Sequence, residues 1–121
     1  MSRRSTASLE VTAFHEAGHA VAAWHAGLEI HSATIVPTPR LDGCVTHANP
    51  LYGVHLDCDG SDEARLRAEA AIIVLLAGPA AQRRHNPRSW RSWYGSSDHE
   101  RAADLAMRIN LNPWLPRQLL A

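Results

Sequence analysis

The sequence predicts a mostly α-helical domain with one small β-hairpin. Three observations carry that reading. A helix-period stretch holds the run Phe14-His15-Glu16-Ala17-Gly18-His19-Ala20 between start and stop signals. A β-branched segment, Ile30 to Val36, is followed by the turn signal Asp42-Gly43 and a second short extended stretch. Two further segments begin with helix-capping residues, Ser61 and Asp98, and carry apolar residues at helical spacing.

Taken in order, residues 1–7 are polar and expected to fray. The first helix is expected from about Leu9 to Ala26. Thr6 or Ser8 is available as cap, Glu10 lies near the positive end, and Gly27 provides the stop. Val11, Phe14, Gly18, Val21 and Ala22 form an apolar stripe expected to bury it. Ile30–Val36 is expected to pair with Cys44–Ala48 across the Pro37–Asp42 connection, with 49–60 as loop. The second helix starts after Ser61, with Asp62 and Glu63 in its first turn, and reaches about Ala77. Ala70, Ile73, Val74 and Ala77 are expected to face the core, and Pro79 to bend or restart the helix. His85–Gly95 reads as a loop carrying Trp90, Trp93 and Tyr94. Asp98 opens a last helix to about Ile109, with Asn110 and Pro113 as stop signals, and the tail 114–121 docks or frays.

The chemistry concentrates in the first helix. Residues four apart lie one above the other on a helix face, so the imidazoles of His15 and His19 can address one metal ion. Glu16 sits on the shoulder of that face, where it reaches a water on the metal rather than the metal. This H-E-x-x-H arrangement is the one zinc peptidases use. A buried helix carrying two histidines and a glutamate needs polar partners, and a metal ion is such a partner.

Bulk properties narrow the rest. At 121 residues the chain is expected to be one domain, 1–121, with a single core. Twelve arginines balance twelve acids and there is no lysine, which gives no argument for nucleic acid or an acidic membrane surface as partner. Arg3 and Arg4 have no apolar signal core behind them, and the apolar run 68–81 is too short to span a bilayer. Two cysteines make no disulfide framework. A soluble cytoplasmic domain is the resulting expectation.

His15-Glu16-Ala17-Gly18-His19-Ala20-Val21 resembles the motif helix of the peptidase domain of the FtsH family, membrane-anchored AAA+ zinc proteases. The likeness continues through Thr34-Ile35-Val36-Pro37 and Gly43, through Leu76-Ala77-Gly78-Pro79-Ala80-Ala81, and through Ser97-Asp98 followed by Arg101-Ala102. It spans roughly residues 10–109 in one order. The resemblance implies a zincin-like FtsH-type peptidase fold, and a Zn2+ ion held by His15, His19 and Asp98 as the third ligand. It also implies endopeptidase activity through a metal-activated water, with Glu16 as general base.

The departures are equally specific. Pro79 and Gln82 stand where the family has Arg and Glu, so the roles of those side chains are expected to be lost. Ser97 replaces an Asn, and no G-x-x-x-x-G-K-[ST] phosphate loop exists. The expectation is a reduced, stand-alone peptidase domain without ATPase or membrane segments. Its substrate would be a peptide or an unfolded chain, delivered if necessary by a separate ATPase or adaptor. The family works as a ring, and no segment here is assigned to ring contacts. The alternative is a catalytically retired domain whose metal serves structure or regulation.

Other constellations compete less well. His25 completes a metzincin-like spacing with His15 and His19, but that pattern needs a glycine where Ala22 stands. On a continuous helix His25 points roughly 80–120° away from the other two. Cys44-x-x-His47 with His55-x-x-Cys58 could form a structural zinc site, yet residues three apart on a strand face opposite sides. Arg83, Arg84, Arg88, Trp90, Arg91 and Trp93 could stack on single-stranded nucleic acid, against the neutral overall charge. Asp98 also has a plain reading as a helix cap.

Overall fold

The computed structural model describes residues 6–89 and 96–111. They form three helices and one hairpin: α1 (Thr6–His25), β1 (Ile30–Thr34), β2 (Cys44–His47), α2 (Asp62–His85), a 3-10 turn (Pro87–Ser89) and α3 (Ser96–Leu111). Trp90, Arg91, Trp93, Tyr94 and the tail 114–121 lie outside the described residues.

Helix α1 starts earlier than the sequence suggests. Thr6 and Ala7 are helical, and Ser8 lies inside the helix rather than before it. Its end is built as a Schellman motif. Gly27 takes a positive φ of 79°, Leu28 N–H donates to the Ala23 carbonyl at 2.9 Å, and Gly27 N–H donates to that of Trp24 at 3.0 Å. The helix therefore does not break at Ala22.

The strands pair antiparallel, from Thr34 opposite Cys44 to Ile30 opposite His47, with an irregularity between Ile30 and Ser32. Both strands are shorter than expected, because Ile35, Val36 and Ala48 fall outside the ladder. Gly43 seats the hairpin on α1: a Cβ there would press on the Thr34 carbonyl, on Thr12 Cγ2 and on Glu16 Cγ.

Helix α2 is capped by Ser61, whose Oγ accepts from Ala64 N–H at 3.1 Å. It runs unbroken through Pro79 to His85, eight residues beyond the expected end at Ala77. Pro79 lacks the N–H that would pair one turn back. Part of its usual clash with the preceding residue is relieved because Gly78 has no Cβ, and Ala80, Ala81, Gln82, Arg83 and Arg84 carry the helix on. Arg67 ties the 49–60 loop to this helix, its guanidinium donating to the carbonyls of Pro50 and Tyr52 at 2.7 Å each.

The core differs from the expected stripes. On α1 the buried residues are Thr12 and Ala23, whereas Phe14 and Val21 are 45% and 65% exposed. On α2 Val74 is buried, but Ile73 is 61% exposed. The cause is the helix crossing. Gly18 brings α1 so close to α2 that a Cβ would overlap the Ala77 carbonyl and the Ala81 methyl. The small residues make the contact, and the large apolar ones are left along a groove of about 700 Å3 beside it. The interior face of α1 is the polar one, with His15 and His19. A separate cluster packs Ile109 of α3 against Ala68, Leu51, Leu56 and Ile72, and so fixes α3 on α2.

Candidate metal centre

His15 and His19 project from one face of α1 toward α2 and the start of α3. The ring of His19 lies on Gly78, where a Cβ would overlap it. Asp98 sits in the first turn of α3, where the helix dipole favours a carboxylate. It is not a cap standing before the helix, and its Oδ2 reaches across to both imidazoles. Those side chains are 83 residues apart in the chain for His15 and Asp98.

Three ligand atoms meet there. His15 Nε2 is 3.1 Å from Asp98 Oδ2, His19 Nε2 is 3.3 Å from the same oxygen, and the two Nε2 atoms are 3.1 Å apart. Four donors set tetrahedrally around zinc at about 2.0–2.1 Å lie about 3.3 Å from one another. The observed triangle has nearly the size of one face of that tetrahedron. Among the described residues this is the one group of three or more His, Cys, Asp or Glu side chains gathered closely enough to hold a metal ion. The three side chains keep 13–18% exposure, so the cluster is sheltered but opens to solvent.

The outer hydrogen bonds fix which way the rings face. His19 Nδ1–H donates to the Val74 carbonyl at 2.7 Å, an atom that can only accept. His15 Nδ1 lies 2.8 Å from Gln82 Oε1 and donates to it. Both Nδ1 protons are therefore spoken for, and both Nε2 atoms turn inward toward a carboxylate oxygen, as donors to it when an imidazole is protonated and as lone pairs when it is neutral. A single proton placed there serves one edge of the triangle, whereas a cation at its centre serves all three corners. The donor set, two imidazoles and a carboxylate with their second nitrogens anchored, fits a divalent ion such as zinc.

The charges agree with this geometry. Burial by itself would raise the Asp98 carboxyl, but hydrogen bonds from His15 and His19 and their charges hold it well below the usual carboxylate range. Burial would lower His19, yet its bonds to Asp98 and the Val74 carbonyl, with the charges of Asp98 and Glu16, leave it raised. Glu16 is also raised: burial pushes it up, and Asp98 adds to this, against the opposing charges of His19 and His15. Glu16 is half-buried, held between this cluster and Gly43 of the hairpin.

Sequence reasoning missed one member of this arrangement. Gln82 was expected to have no role, but it is 5% exposed and partners His15. Its position four residues after Gly78, on the α2 face turned to α1, is the signal that marks it. The competing sites do not assemble. His25 lies on the unbroken helix, exposed and lining the apolar groove. Cys44 and Cys58 are free thiols, and neither joins a cluster of metal-ligating residues among those described.

The chain is 36% identical over 104 residues to the ATP-dependent zinc metalloprotease FtsH 1 of Rhodopirellula baltica. That match covers 83% of this chain and 14% of the relative's length. No family model matches the chain, and no solved structure does. The likeness supports a relationship to the FtsH family.

Proposed function

We propose that this domain is a zinc-dependent endopeptidase whose ion is held by His15, His19 and Asp98. The observation that carries the reading is the triangle of inward-facing ligand atoms at 3.1–3.3 Å, its outer nitrogens already committed to Gln82 and Val74. The likeness to a zinc metalloprotease supports zinc over other divalent ions.

When bound, the ion would supply Lewis acidity, lowering the pKa of water to about 7 and polarising the scissile carbonyl. His15 and His19 hold their Nε2 atoms in place through their second hydrogen bonds, and Asp98 adds the negative charge that balances part of the cation's. Glu16 lies beside the triangle and not in it. Its raised pKa suits a group that accepts a proton at its carboxylate and then returns it to the leaving amine. Gly43 lies beside Glu16, where a Cβ would crowd its Cγ.

The substrate in this reading is a peptide or an unfolded segment, presented by a separate ATPase or adaptor where the target is folded. Glu16→Gln is the direct test. It should keep the metal and abolish cleavage of an unstructured substrate such as casein. Cleavage at the native rate would remove Glu16 from the mechanism.

A further inference from the structure

His15 leans on a chain of hydrogen bonds that ends outside the metal cluster. Its Nδ1–H donates to Gln82 Oε1 at 2.8 Å. The Gln82 amide nitrogen in turn donates to Ser89 Oγ at 3.3 Å and to the Ser89 carbonyl at 3.5 Å. Ser89 Oγ spends its own proton on the Asn86 carbonyl at 2.6 Å, so toward Gln82 it can only accept. The 3-10 turn after α2 thus offers the amide two acceptors and no donor.

That detail matters because an amide is nearly symmetric in shape and opposite in chemistry at its two ends. Turned around, Gln82 would present its NH2 group to His15 and its oxygen to the two Ser89 oxygens. His15 Nδ1 would then have to accept, its proton would move to Nε2, and that proton would point into the triangle shared with His19 and Asp98. A glutamate at position 82 would need no such arrangement, since both of its oxygens accept. Resting on the metal reading above, we infer that Ser89 is a positioning residue of the metal centre: acting through the Gln82 amide, it holds His15 in the tautomer whose Nε2 lone pair faces the ion.

The neutral amide also makes His15 a less basic ligand than a carboxylate partner would. The test uses the whole chain and Zn2+ alone. Zinc affinity is measured by competition with a chelator for the native protein, Ser89→Ala, Gln82→Met, Gln82→Glu and the double variant Ser89→Ala/Gln82→Glu. Loss of an outer hydrogen bond to a ligating histidine costs about 10–100-fold in metal affinity. Gln82→Met should show a loss of that order and Ser89→Ala a smaller one in the same direction. Gln82→Glu should bind at least as tightly as the native chain, and in that background Ser89→Ala should cost nothing.

The tautomer is read separately from the ring 15N–1H spectrum of the metal-free protein. His15 should be Nδ1-protonated in the native chain and mixed in Ser89→Ala and Gln82→Met. If Gln82→Met fails to fold, Ser89→Ala and the glutamate pair decide alone. Native affinity and native tautomer in Ser89→Ala, or an equal loss from Ser89→Ala in the Gln82→Glu background, would overturn the inference. A native chain that shows the tautomer but binds no zinc would instead overturn the metal reading.

Discussion

The imidazole of His19 lies against Gly78, in the volume that a Cβ there would fill. This contact lets α2 approach until the Val74 carbonyl takes the His19 Nδ1 proton at 2.7 Å. The Leu76-Ala77-Gly78-Pro79 stretch thus shapes the surroundings of His19, although none of its side chains belongs to the His15, His19 and Asp98 cluster. Gly78→Ala should displace the ring and weaken zinc binding by on the order of 10–100-fold, with little change in helical content by circular dichroism. Native affinity in that variant would mean the ring has another place to sit.

Gly43 plays a comparable part for Glu16. A Cβ at position 43 would crowd Glu16 Cγ and Thr12 Cγ2. Gly43→Ala should therefore separate binding from turnover, leaving zinc stoichiometry at the native value while kcat falls by roughly 10-fold or more, within the range a positioned acid–base group contributes. A loss of zinc together with activity would show that the hairpin supports the metal cluster rather than Glu16.

Glu16→Gln removes only the proton acceptor. Zinc affinity should stay within a few-fold of native, while cleavage falls by about 10²–10⁴-fold, the usual contribution of general acid–base catalysis. An undiminished rate on unfolded casein contradicts the assignment.

The pH dependence has a definite sign. His19 is raised, so its contribution to the metal-free fold is complete below the unfolded value of about 6.5 and is lost as pH rises through the folded one. Asp98 is depressed, so its contribution is present above about 3.9 and is lost as pH falls through its folded value. The metal-free protein should therefore melt at lower temperature on going from neutral to alkaline pH. Zinc must displace the proton that His19 otherwise keeps, so its stabilisation should run the other way. The rise in melting temperature on adding zinc should grow between about pH 5 and pH 8. A zinc shift that does not vary over that range would show that no imidazole proton is exchanged.

Much of this was legible in the sequence, for reasons tied to particular residues. Spacing alone puts His15 and His19 on one face, Gly27 ends α1 in the left-handed conformation only glycine adopts freely, and Ser61 caps α2 as its hydroxyl suggests. Asp98 is different. Nothing local tells a carboxylate in a first helical turn that its partner lies 83 residues away, and only the family resemblance named it. Periodicity found the apolar face of α1 but placed it wrongly, because Gly18 turns the close helix contact over to small residues and leaves Phe14 and Val21 beside a groove. Pro79 was expected to bend or restart α2 just past Ala77, but Gly78 before it lets the helix continue to His85. That continuation carries Gln82 to His15, and it is why a residue expected to have lost its role has one.

The most direct test is a zinc-bound crystal structure of the native chain, with metal content measured in parallel for Asp98→Ala. One ion per chain is expected, bonded to His15 Nε2, His19 Nε2 and an Asp98 oxygen at about 2.0–2.2 Å, with Asp98→Ala losing most of its zinc. Full zinc occupancy in Asp98→Ala, or an ion bonded through His25 or the cysteines, would contradict the account.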